Sequence, residues 1–159
     1  MLDKRKFYIN GKWVAPSKPN DLDVIDPCTE DSVATISLGS KEDTNAAVSA
    51  AKTAFESWKE SSKEERVALL EKLLTIYKKR YSEMVNAISL EMGAPADWSN
   101  DVQTASGQSH IEDFILRLKE FEFDKKFSPE SNNRICYEPI GVCGLITPWN
   151  WPINQIGLK

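Results

Sequence analysis

Nowhere do the 159 residues approach the eighteen or more consecutive apolar positions of a membrane-spanning helix. The opening MLDKRKFYINGKW carries basic residues with no apolar segment behind them, so it lacks the make-up of a secretory leader. No membrane partner is expected, and the cytoplasm is the expected location. Basic charge is also short. Twenty Lys and Arg stand against 24 Asp and Glu, net −4, which argues against a surface built to neutralise nucleic-acid phosphates. Cys28, Cys136 and Cys143 are odd in number, widely spaced and never form a C-x-x-C pair, so neither a disulfide framework nor a zinc site is indicated. The single histidine, His110, has no motif around it that would make it a ligand or base, and reads as structural or surface. Gly141-x-x-Gly144 is not a G-x-G-x-x-G dinucleotide fingerprint.

What is present is an ordinary soluble composition, 41% apolar and 28% charged, long enough for one domain or one and part of a second. Phe7 to Val14 reads as a small hairpin around Asn10-Gly11. Prolines at 16, 19 and 27 punctuate a polar link, and Asp23–Ile25 and Val33–Ile36 are short extended candidates. Ser40 with Asp43 forms a capping box that opens a helix over about 42–58, with an inward stripe of Ala47, Ala51, Ala54, Phe55 and Trp58. Ser62 and Glu65 repeat the box. Val67, Leu70, Leu74, Tyr77, Tyr81, Met84 and Ile88 then step 3-4-3-4-3-4, predicting one long amphipathic helix ended by Gly93 and Pro95.

A third helix, about 98–121, offers Val102, Ala105, Ile111, Phe114, Ile115 and Leu118 to a core, and Lys125-Lys126 reads as a solvated turn. Arg134 to Glu138 alternates like a strand with one covered face. Ile140 to Thr147 is almost wholly apolar, the pattern of a parallel strand buried on both faces, with Cys143 inside it. A βαβ unit needs roughly 30 residues. Only 148–159 follow, with Pro152 well placed to start a helix, so the chain is expected to be part of a longer protein. The turn Thr147-Pro148-Trp149-Asn150-Trp151-Pro152 leaves the carboxyl end of that strand, where such sheets bind ligands. Two prolines and two tryptophans make it stiff. It serves either as a Trp-packed corner or as a mount from which Asn150 donates N–H to a developing oxyanion. Base stacking on Trp149 and Trp151 is a weaker alternative that the negative charge opposes.

Several motifs together resemble the NAD(P)-dependent aldehyde dehydrogenase family: YINGKWV, DPCTED, AAVSAAKTAFESW, ERVALLEKL, EMGAP and EPIGVCGLITPWNWP, in matching order and spacing. The resemblance spans essentially the whole chain and about the first third of a family member. It implies an α/β fold: the N-terminal hairpin and helices of a Rossmann-like cofactor domain (1–124), a β extension that pairs between subunits (125–139), and the first strand and loop of the cofactor sheet (140–159). It implies oxidation of an aldehyde to a carboxylic acid by a cysteine thiolate, with NAD or NADP as hydride acceptor and no metal. By resemblance Asn150 is the oxyanion donor and Lys159 a supporting residue near it, while Ile146, Thr147, Pro148 and Trp149 line the cofactor. The nucleophile and general base have no counterpart among these residues, so this chain alone is not expected to catalyse. A homodimer or homotetramer is implied for the full-length protein. Asp26, Glu30, Asp31 and Ala94 depart from common family residues, which bears on subfamily. The competing expectation is a non-catalytic helical module for interaction or oligomerisation, suggested by the 3-4 stripe.

Overall fold

A computed structural model describes residues 1–159. The chain opens with β1 (Leu2–Asp3) and the expected hairpin, β2 (Phe7–Ile9) antiparallel to β3 (Lys12–Val14). Asn10 and Gly11 sit at φ 52° and 74°, the two left-handed positions that a two-residue turn requires. Next, β4 (Asp21–Ile25) pairs antiparallel with β5 (Ser32–Ser37), and β1 joins the other edge of β5 in parallel. Asp26 Oδ1 accepts the Cys28 N–H at 2.7 Å, and Glu30 takes φ 63°, which together reverse the chain between these strands.

Both capping boxes form. Ser40 accepts from the Asp43 N–H while Asp43 accepts from the Ser40 N–H, opening α1 (Lys41–Trp58); Ser62 and Glu65 do the same for α2 (Lys63–Lys79). Ala47, Ala51 and Phe55 are half-buried, whereas Ala54 and Trp58 are exposed, because β2 is the one element that α1 packs against appreciably. The single long helix expected from the 3-4 stripe is two helices. Arg80, at φ −104° and ψ 16°, ends α2 and starts α3 (Tyr81–Met92), with its guanidinium 2.8 Å from Glu83 in the new first turn. The apolar stripe keeps phase across this joint, so its spacing carries no sign of the break. Gly93 ends α3 at φ 71°, where an added Cβ would lie 2.5 Å from Pro27.

The third helical segment starts with α4 (Ala96–Trp98), passes through a π-helical turn (Ser99–Thr104) and continues as α5 (Ala105–Glu120). An extra residue in the turn changes which face points inward. Ser99, Gln103, Thr104, Gly107 and Ile115 are buried, whereas Phe114, expected inside, is exposed. α5 lies antiparallel on α2, tied by Lys119 Nζ to Glu71 at 2.7 Å and by Lys78 Nζ to Glu112 at 2.8 Å. The Tyr77 hydroxyl donates to the Thr104 carbonyl at 2.8 Å; burial, and then neighbouring Tyr81, push its pKa up to about 12.

Lys125 and Lys126 are not in a turn: they belong to β6 (Asp124–Lys126), which pairs antiparallel with β7 (Arg134–Cys136) and is pinned by Arg134 Nε to Asp124 Oδ1 at 2.6 Å. The alternation of Arg134–Glu138 is thus half of a ribbon whose other half is too charged to read as strand. A second correction concerns 140–147. This run is extended but joins no sheet, and no backbone–backbone hydrogen bond engages residues 139–150. Ile140 is 93% and Ile146 89% exposed, and Cys143 is exposed rather than buried. A parallel strand needs a partner strand to complete its ladder, and no strand of this chain lies beside it. The chain ends in α6 (Pro152–Gly157), with Pro152 at its first position as expected.

The core is small. Twelve residues of 159 are buried, half of them polar or charged, and the accessible surface is 11,668 Å². A folded monomer of 18.0 kDa exposes about 8,000 Å². The surplus is about 3,600 Å², and exposed apolar side chains are spread along the chain, among them Trp13, Leu69, Leu73, Leu116, Leu145 and Trp149.

Candidate functional site

Pro148 and Pro152 bracket Trp149, Asn150 and Trp151, and α6 seals the bracket when the Gln155 N–H donates to the Trp151 carbonyl at 2.9 Å. Trp151 turns back onto Trp98, the rings meeting edge to face with centroids 6.2 Å apart. α6 seats on α5 through two glycines. A Cβ on Gly107 would lie 2.5 Å from Ile153 and 2.7 Å from the Tyr77 hydroxyl; one on Gly157 would lie 3.1 Å from His110. His110 is half-buried, and its Nε2 lies 2.8 Å from Asn154 Oδ1, a hydrogen bond in the tautomer that carries its proton on Nε2. The structural reading of His110 agrees with this contact.

Asn150 is exposed, and its side-chain amide makes no hydrogen bond within the chain, which leaves its two N–H donors free. Lys159 is also exposed and donates to Gln155 Oε1 at 3.1 Å, so these two side chains share no hydrogen bond. Ile146, Thr147, Pro148 and Trp149 form an exposed, extended stretch leading into the turn, with Trp149 76% exposed. Two cavities lie away from the Asn150 turn: one of about 560 Å³, lined by Phe55, Lys59, Arg66, Phe123 and Tyr137, sits beneath the β6–β7 ribbon, and another of about 570 Å³ runs along α2 and α3.

All three cysteines are free and exposed. Cys136 donates to Asp124 at 3.4 Å, and that hydrogen bond is the leading cause of a raised thiol pKa. No group of three or more His, Cys, Asp or Glu side chains is close enough to share a metal ion. The run 142–149 is extended and exposed, and its backbone N–H and C=O groups have no backbone partners. One contributor to the neighbourhood, Trp98, is not marked by any sequence motif; its only trace is the polar run Ser99-Asn100-Asp101, which interrupts the apolar periodicity just behind it.

Comparison with known proteins matches these observations. The sequence model of the aldehyde dehydrogenase family matches residues 13–159. A 3-succinoylsemialdehyde-pyridine dehydrogenase from a Pseudomonas species is 41% identical over all of this chain, which spans 33% of that protein. An aldehyde dehydrogenase structure from Bartonella henselae superposes with a TM-score of 0.98 at 54% identity, over 100% of this chain and 34% of the other. Aldehyde dehydrogenase C of Pseudomonas syringae, solved with NAD+ and octanal, gives 0.93 at 39% identity, over 98% and 31%. This chain thus spans about a third of the length of the curated relatives it matches. With 147 of its residues under the family model and its whole length superposing on those structures, the chain belongs to the aldehyde dehydrogenase family.

Proposed function

We propose that these residues form the N-terminal third of an NAD(P)-dependent aldehyde dehydrogenase that oxidises an aldehyde to a carboxylic acid. The surplus of about 3,600 Å² of accessible surface carries this reading. A two-fold contact between copies that covered it would bury about 7,000 Å², above the roughly 2,000–5,000 Å² common for obligate pairs. A further two thirds of polypeptide, the proportion by which the relatives are longer, covers such a surface as ordinary domain core. The same comparison weighs against a free-standing oligomerisation module.

In this reading residues 1–124 supply the hairpin and helices of the cofactor domain, 125–139 a β extension shared between subunits of a dimer or tetramer, and 140–159 the first strand and loop of the cofactor sheet. Asn150 donates its free N–H to the carbonyl oxygen as negative charge develops there, and the stiff Pro148–Pro152 bracket fixes the donor beforehand. Lys159, at the far end of α6, adds positive charge to the same region. Ile146 to Trp149 hold NAD or NADP through their unpaired backbone groups; when bound, the dinucleotide accepts the hydride. The nucleophile and general base belong to the remaining polypeptide. We place the enzyme in the cytoplasm, where three exposed thiols stay reduced. The octanal held by the Pseudomonas syringae relative makes aliphatic aldehydes the first class to assay.

The test is Asn150→Ala in the full-length enzyme. Turnover of octanal should fall about 100- to 1000-fold, with the KM for NAD+ moving far less. Unchanged turnover would remove the oxyanion role.

A further inference from the structure

The π-helical turn over Ser99–Thr104 is costly in two ways. It departs from the α-helical ladder, and it buries Gln103 and Thr104 at 1% and 0% exposure with Gln103 Oε1 and Thr104 Oγ1 lacking any hydrogen-bond donor. A feature of that kind invites the question of what it accomplishes. Gly107 marks the face of α5 that meets α6, since it abuts Ile153. Trp98 lies nine positions earlier, and at about 100° per residue an unbroken α-helix would put it about 180° away, on the opposite face. One residue absorbed in the turn takes back about 100°, leaving Trp98 about 80° from Gly107 and on the α6 side. There its ring meets Trp151, the residue next to Asn150.

We propose that the π-turn serves to carry Trp98 round to Trp151, making Trp98 a positioning residue for Asn150. The segment 98–110 then grips the site at three successive points: Trp98 on Trp151, Gly107 on Ile153, and His110 on Asn154. The last two hold α6 as a rod. Only the first acts on a side chain of the bracket itself, and without it the Trp149–Trp151 turn is restrained by the prolines and the Gln155 N–H to Trp151 carbonyl hydrogen bond. Trp98 touches no reacting atom in this account; it acts through the angle at which the amide is presented. The inference rests on the oxyanion role proposed above, and it extends that role to a residue outside the Asn150 motif.

The experiment uses the full-length enzyme with octanal and NAD+, and Trp98→Ala, Trp98→Phe and Asn150→Ala singly and with Trp98→Ala added to Asn150→Ala. Trp98→Ala should lower kcat about tenfold or more with little change in the KM for NAD+, and Trp98→Phe, which keeps an aromatic edge, should restore kcat to within about threefold of the parent. On the Asn150→Ala background, Trp98→Ala should add less than about twofold, because the group it positions is gone. Amide hydrogen exchange at Gln155, whose N–H donates to the Trp151 carbonyl, should quicken in Trp98→Ala while exchange in α2 stays as in the parent. Equal losses from Trp98→Ala on both backgrounds, or loss without altered exchange at Gln155, would overturn the proposal while leaving the oxyanion role standing. If instead Asn150→Ala itself costs nothing, the oxyanion reading fails, and the exchange data alone decide whether Trp98 restrains the turn. One variant that deletes Val102 probes the rotation directly: a regular helix then has eight steps between Trp98 and Gly107, about 800° or 80° beyond two turns, so Trp98 should stay on Trp151 with a parent-like exchange pattern, and a Trp98→Ala-like pattern would refute the geometric argument.

Discussion

Gly107 has no room for even one methyl group. A Cβ at this position would press on Ile153 at 2.5 Å and on the Tyr77 hydroxyl at 2.7 Å, two partners on different helices that would have to retreat in different directions. Gly107→Ala should therefore destabilise the α5–α6 contact by about 1–3 kcal/mol, read as a lowered urea midpoint in a helix-monitored melt, even though alanine is the better helix former. The Tyr77 hydroxyl is committed to the Thr104 carbonyl and stays protonated through the physiological range. At this scale the sequence is informative wherever one residue type implies one backbone state. Asn10-Gly11 and Gly93 are readable for that reason. Gly107 is not, since a glycine within a helix states that space is short but not which element takes it.

At the scale of elements, start signals are the clearest part of the sequence. Ser40 with Asp43 and Ser62 with Glu65 each open a helix where expected, because a capping box satisfies free N–H groups locally and needs no tertiary partner. The box at α1 has a titration consequence. The Ser40 N–H, then the Ser17 N–H, donate to Asp43 and hold its carboxyl below the usual range. A lowered folded-state pKa contributes stability that is complete above the unfolded value, about 3.9, and is lost as pH falls through the folded one. Asp43→Asn should therefore flatten the acid side of the stability profile below about pH 4 and lower stability at pH 7, measured as melting temperature against pH; an unchanged acid limb would dismiss the box as a stabilising device. What stays hidden are the joints. The Arg80 break leaves the apolar stripe in phase, and the π-turn shifts it by one residue through polar side chains that hydrophobic periodicity does not weigh. The β6 strand, Asp-Lys-Lys, is invisible because its pairing to β7 is held by backbone and by Arg134–Asp124 rather than by an apolar face.

Over the whole molecule, the candidate site is legible and its enclosure is not. The Pro-Trp-Asn-Trp-Pro turn can be found from residue types alone, while its surroundings depend on polypeptide that 159 residues do not include in the relatives' proportion. The exposed apolar surface predicts that this chain by itself binds a hydrophobic dye such as anilinonaphthalene sulfonate strongly and associates as concentration rises, and that the full-length enzyme does neither. A dye-silent, monodisperse 159-residue chain would contradict the proposed reading. The unpaired run 140–147 adds a demand on biosynthesis. In the proposed full-length enzyme the strands that flank it come later; at about 5–20 residues per second, some 300 further residues, the proportion by which the relatives are longer, would leave it bare for roughly 15–60 s. Pro139 and Pro148 stand at its two ends, where each denies a neighbouring chain a ladder hydrogen bond. Exchanging either proline should therefore raise the tendency of the newly made chain to associate with its siblings, read as a larger aggregated fraction after synthesis.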